Sequence, residues 1–163
     1  MKSVVGGTVS SLSTLHIVSG GQTGVDRAAL DVALKLGLSC GGWCPRGRRA
    51  EDGPIHERYP LSETESSKYD VRTRRNVRES DGTLVLTVGD PTGGTALTVA
   101  VAEREGKPLL VLDLDMQPSP AIVTEWLELH GIKLLNVAGP RESTSPGIGQ
   151  LAQEFLRIAL DYK

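Results

Sequence analysis

A chain of 163 residues with 39% hydrophobic and 23% charged residues has the length of one domain and a globular composition, which excludes disorder and any need for disulfide or metal staples. Eighteen basic against 20 acidic residues leave a net charge of -2, so neither nucleic acid nor a membrane is an expected partner. Aromatic residues make up 4%, too few for a base-stacking platform, and no apolar run reaches the roughly 20 residues that span a bilayer.

Residues 1–14 read as a flexible lead-in without the apolar core of a secretory signal; residues 15–163 read as one ligand-binding domain, and a cytoplasmic location is expected. Leu15 to Val18 is a short buried strand that stops at Ser19-Gly20-Gly21. A helix follows from Gly24 to Leu36, with Thr23 and Asp26 in the spacing of a capping box and Gly37 as its stop. A weak second strand lies between Leu38 and Trp43. The irregular stretch from Cys44 to Lys68 is long for a compact domain and is expected to act as a flap over the site. Tyr69 to Glu79 is a helix with four arginines.

Thr83 to Val88 is the clearest strand. It runs into a second glycine-rich turn, Gly89 to Thr95, and a helix from Ala96 to Glu105. Leu109 to Leu112 is a fourth strand, Ser119 caps a helix with Pro120 at its first position, and Ile132 to Val137 is a fifth strand. The last helix is expected to bury Ile148, Leu151, Phe155, Ile158 and Tyr162. Continuous apolar strands alternating with helices predict an α/β fold: a single Rossmann-like, three-layer domain with a parallel sheet of about five strands and helices on both faces. The expected strand order is 2-1-3-4-5, which makes the two glycine turns neighbours.

Both turns follow a strand and precede a helix, where free amides attract anions and glycine lets a ligand approach. Gly20, Gly21, Gln22, Thr23 and Gly24, with Gly93, Gly94 and Thr95, are the expected phosphate or oxyanion cradle. Neither turn has the lysine of a phosphate-binding ATPase loop or the spacing of a dinucleotide fingerprint. Nine of the 18 basic residues fall between Arg46 and Arg78, and arginine suits oxyanions. Arg74, Arg75 and Arg141 are expected to add charge to the site; Asp113 and Asp115 lie at a strand end where carboxylates meet sugar or base donors. His16 reads as a packed strand residue. Cys40 and Cys44 read as two reduced thiols, too few for a zinc site, so no metal site is expected. No catalytic residue is singled out, so the residues point to binding more than to reaction.

The run Ile17-Val18-Ser19-Gly20-Gly21-Gln22-Thr23-Gly24-Val25-Asp26-Arg27-Ala28-Ala29-Leu30-Asp31, with Asn136 to Ser143 and Ser80 to Thr95, resembles the molybdenum cofactor carrier proteins and their bacterial relatives. The resemblance covers nearly all of Leu15 to Leu160. It implies a carrier that binds and protects molybdenum cofactor (molybdopterin) as cargo, or a related anionic or phosphorylated small molecule, with molybdoenzymes as recipients and a homo-oligomeric assembly. The wider Rossmann-like group includes the cytokinin-activating phosphoribohydrolases, whose P-G-G-x-G-T-x-x-E motif carries a glutamate where this chain has Thr98. A hydroxyl cannot replace that carboxylate. The alternatives are a nucleoside-monophosphate phosphoribohydrolase and a nucleotide-sensing module.

Overall fold

A computed structural model describes residues 14–161; the expected lead-in over 1–13, and Tyr162, lie outside them. Five parallel strands form the main sheet: β1 His16–Val18, β2 Ser39–Gly41, β5 Gly82–Thr87, β6 Leu109–Asp113 and β7 Leu134–Ala138. Between β2 and β5 the chain adds a second, two-stranded parallel sheet, β3 Trp43–Cys44 with β4 Ser62–Glu63. The helices are α1 Val25–Leu36, α2 Tyr69–Arg78, α3 Gly93–Glu105, α4 Ala121–His130 and α5 Ile148–Leu160.

The strand order is β2-β1-β7-β5-β6, which corrects the expected order: the last strand lies at the centre, between the first and third of the five. His16, Ile17 and Val18 pair with Leu134, Leu135 and Asn136, and Leu135 to Ala138 pair onward with Gly82 to Val85. Right-handed crossovers constrain the hand of each connection but not which gap a late strand fills. A centre made of Leu134 to Ala138 is open to the last strand because β1 and β5 leave room for it.

Side-chain alternation along the strands sorts the helices into two layers. Leu84, Leu86, Leu135 and Val137 face the main core, shared with Val25, Ala29 and Val32 of α1, Val123 and Leu127 of α4, and Ile148, Ala152 and Leu156 of α5. On α2 and α3, Val77, Val101 and Ala102 form a smaller cluster with Leu109. Asn136 and Thr83 point away from the main core, and the Asn136 amide donates to the Thr83 hydroxyl at 3.3 Å. The main core accounts for most of the apolar stabilisation, at about 1.5–3 kcal/mol per fully buried aliphatic side chain.

Two local expectations change. Leu151 and Ile158 are exposed, and α5 instead buries Ala152, Leu156, Ala159 and Leu160 beside Ile148 and Phe155; small alanines let α5 pack closely on α1. Helix α3 begins at Gly93, three residues before Ala96, so the end of the second glycine turn is its first helical turn. The segment from Cys44 to Lys68 is irregular as expected, apart from the strand residues Cys44, Ser62 and Glu63, yet it is packed: Cys44, Ala50, Ile55 and Tyr59 lie on Leu30. Inside it, the Arg48 guanidinium donates to the carbonyls of Ile55, His56, Tyr59 and Leu61, a polar centre beside that small apolar cluster.

Candidate functional site

Beyond the carboxyl ends of β1 and β7, where open parallel sheets bind ligands, lies a cavity of about 310 Å³. Its walls come from Gly20, Gln22 and Asp26 after β1; Asn136 to Arg141 and Thr144 at and after β7; Thr92 to Thr95 with Leu97 and Thr98 on α3; and Tyr69, Asp70, Arg72, Thr73 and Asn76 on α2. Residues 69, 72, 73 and 76 share one face of a helix. No residue between Cys44 and Lys68 lines it, which corrects the expected flap: that segment braces the first glycine turn from outside.

The first glycine turn is packed against protein. A Cβ on Gly20 would lie 1.9 Å from Arg72 Nη1, one on Gly21 2.5 Å from Leu61 Cδ1, and one on Gly24 2.3 Å from the Pro140 carbonyl oxygen. Three of its amides are engaged as well: Gly21 N–H donates to Ser19 Oγ, Gln22 N–H to Asp26 Oδ2 and Thr23 N–H to Gln22 Oε1. The expected capping box is absent. Thr23 Oγ1 turns to the Glu51 carboxylate and accepts from Glu142 N–H, and Asp26 faces Arg72.

The second glycine turn is open. A Cβ on Gly89, Gly93 or Gly94 would meet nothing within 4 Å. Among the described residues, the N–H groups of Gly93 and Gly94 have no acceptor, while those of Thr95 and Ala96 bond to the Thr92 carbonyl. Two free amides at the start of a 13-residue helix thus belong to residues that line the cavity, at the positive end of the helix dipole. Thr98 Oγ1 is occupied by the Gly94 carbonyl at 3.0 Å.

Opposite stands a buried ion pair, Arg72 Nη1 to Asp26 Oδ2 at 3.3 Å, with the two side chains 10% and 9% exposed. Burial pushes the Asp26 carboxyl above its ordinary pKa, against the opposing pull of Arg72, the Gln22 N–H and Arg27. Arg72 also donates through Nε to the Tyr69 carbonyl. Three guanidinium groups gather on the Tyr69 ring, Arg49 at 4.6 Å and Arg72 and Arg141 at 5.5 Å from its centroid. A ring attracts cations without neutralising them. Among the described residues Arg141 has only a distant carboxylate, Glu51 at 3.9 Å, and that carboxylate accepts from Ser143 Oγ, Ser143 N–H and Thr23 Oγ1. Those hydrogen bonds, Ser143 Oγ first, hold Glu51 below its ordinary pKa.

Of the residues expected at the site, Gly20, Gln22, Gly93, Gly94, Thr95 and Arg141 meet at the cavity. Gly21 lies behind it, and Thr23 and Gly24 open instead on a shallow hollow beside Arg27 and Glu142. Arg74 and Arg75 do not line the cavity; Arg75 stacks 3.7 Å from the Trp43 ring centroid and pairs with Glu65 and Glu79. Asp113 caps Asp115 N–H beyond the edge strand β6 and stays outside. Sequence reasoning passed over Asp26, Tyr69, Arg72, Asn76 and Asn136. The signal for Arg72 was present in the helical spacing from Tyr69, once the facing side is known.

A family model described as the circularly permutated YpsA SLOG family matches residues 17–160. The chain belongs to that family. A permuted order of elements agrees with a last strand seated at the centre of the sheet. Among solved structures, this SLOG-family chain is similar to the crystal structure of a protein named "Putative molybdenum carrier protein" from Syntrophus aciditrophicus SB. The two are 45% identical with a TM-score of 0.87, over 91% of this chain and 96% of the other. A search of curated proteins finds no match. Among the described residues no helix is long and apolar enough to cross a membrane, and no cluster of His, Cys, Asp and Glu could hold a metal ion.

Proposed function

We propose that this protein is a carrier that holds molybdenum cofactor, or a related phosphorylated or oxyanionic small molecule, in the cavity between the start of α3 and the Arg72–Tyr69–Arg141 group. The observation that carries the reading is the pair of unpartnered amides at Gly93 and Gly94, set across a 310 Å³ cavity from guanidinium groups. A phosphate tail suits the helix start, and the arginines suit oxo groups. The volume sits at the small end of the range of about 300–1,000 Å³ for small-molecule sites. Neither Cys40 nor Cys44 lines the cavity, so the cargo's metal centre would meet guanidinium and hydroxyl donors rather than thiolate. The neighbour's name as a molybdenum carrier supports the same reading.

The test is a nitrate-reductase reconstitution assay. The purified chain, loaded with cofactor released from a molybdoenzyme, is expected to retain it, protect it from oxidation and pass it on. Loss of cofactor at the rate seen without protein overturns the reading.

A second reading, hydrolysis of a nucleoside monophosphate to base and ribose 5-phosphate, has one observation in its favour: Asp26 brings a protonatable carboxyl to the cavity wall. Incubation with AMP or CMP and chromatography for free base decides it, since turnover would displace the carrier reading.

A further inference from the structure

The Asp26–Arg72 pair is built differently from the ion pairs on the surface. Both contacts to Asp26 Oδ2, from Gln22 N–H and Arg72 Nη1, are long at 3.3 Å. Its Oδ1 accepts from no described group, yet no buried side-chain oxygen among the described residues lacks a partner, so Oδ1 reaches the cavity. Arg72 Nη2 likewise has no acceptor among the described residues, and Gly20 leaves the space that the guanidinium fills. An oxyanion entering this cavity meets a guanidinium with free donors, and beside it a buried carboxylate of its own sign.

Resting on the proposed anion site, we infer that an oxyanion ligand replaces the Asp26 carboxylate as the partner of Arg72, and that Asp26 takes up one proton from solvent as the ligand binds. The ligand class is a dianionic tetrahedral group such as a phosphate monoester or molybdate. Two like charges side by side in a partly desolvated pocket are relieved most cheaply by protonating the weaker acid. Against an oxyanion that stays fully ionised near neutral pH, such as molybdate or sulfate, Asp26 is the group left to take the proton, in a pocket where burial favours its neutral form. The other charged or titratable groups facing the pair are Arg27 on its own helix, Arg141 after β7, Tyr69 and Asp70 on α2, and the Cys44 thiol of β3, which feels the Arg72 charge and is pushed up by burial. Arg27 is committed to Asp52 through two hydrogen bonds, which leaves Arg72 as the cation that the ligand and Asp26 share.

Calorimetric titration of the native chain with sodium molybdate and with sodium sulfate, in two buffers of different protonation enthalpy, reads the proton directly. Both probes remain dianions across about pH 5 to 8, so uptake of up to about one proton per ligand is expected, with affinity falling by up to about tenfold per pH unit where Asp26 ionises. In Asp26→Asn the uptake should vanish while binding stays at least as tight. Binding of either probe to the native chain without proton uptake overturns this inference and leaves the anion site standing. Weaker binding in a folded Asp26→Asn also overturns it, since Asp26 would then only clamp Arg72. Failure of both probes to bind overturns the anion site and this inference with it. The buffer comparison needs no variant and decides even if Asp26→Asn does not fold.

Discussion

The two glycine turns look alike in sequence and differ in structure. Gly20, Gly21 and Gly24 are glycines because Arg72, Ile55 with Leu61, and the backbone at Pro140 and Arg141 occupy the space a side chain would need. Gly93 and Gly94 face open space. The first turn is a junction where α1, the inserted segment and the loop after β7 are fastened together. The second is a helix start left unfinished toward a cavity. Glycine thus marks close approach in the first turn alone, and only in the second does the space remain for something outside the chain.

The comparison breaks most sharply at Gly24. Its φ of +78° and a 2.3 Å approach to a backbone carbonyl leave Gly24→Ala no relief, and a loss of about 3 kcal/mol or more is expected in chemical denaturation. If it unfolds like the native chain, the first turn is not the packed junction described.

Arg72→Met leaves Asp26 buried without its cation, which costs about 3 kcal/mol at neutral pH. Asp26 has a folded pKa above its unfolded one, so stability falls as pH rises from the ordinary carboxylate range through the folded value. In the variant that window extends to higher pH, and the deficit should shrink on acidification. Melting curves across pH check the sign; a deficit that grows in acid would remove Asp26 from the account.

Gly94→Ala inverts the pattern. Alanine is the better helix former by about 0.8–1 kcal/mol, so stability should hold or rise, while the added methyl enters the cavity and weakens molybdate binding severalfold. Unchanged binding in a titration would show that the open turn is not the ligand's seat. The smallest effect belongs to Arg75→Ala. Its partners Glu65 and Glu79 are exposed, so a change within about 1 kcal/mol and no change in anion affinity are expected; weakened binding would restore Arg75 to the site.

Reading the sequence located the elements well, because buried parallel strands are continuous apolar runs and the helices end at Gly37, Gly106 and Gly131, all in the left-handed conformation at the cap. The site was legible in part. Gly93, Gly94, Thr95 and Arg141 could be named from turns that follow strands. Choosing Arg72 over Arg74 and Arg75 needed the facing side of α2, and four arginines in seven residues give no face away. Asp26 read as a local cap because three-residue spacing is a local signal, whereas its partner is 46 residues distant.

Local chemistry alone therefore determined that this chain alternates strand and helix, that its sheet is parallel, and that two turns would be rich in glycine. Only the tertiary structure decided that the last strand enters the middle of the sheet, that one glycine turn is filled and the other open, and that Asp26 and Arg72 share a cavity wall. The division has one physical cause: backbone propensity and apolar period act over a few residues. Strand neighbours, steric clearance and buried charge pairs arise between segments that meet only when the whole chain has folded.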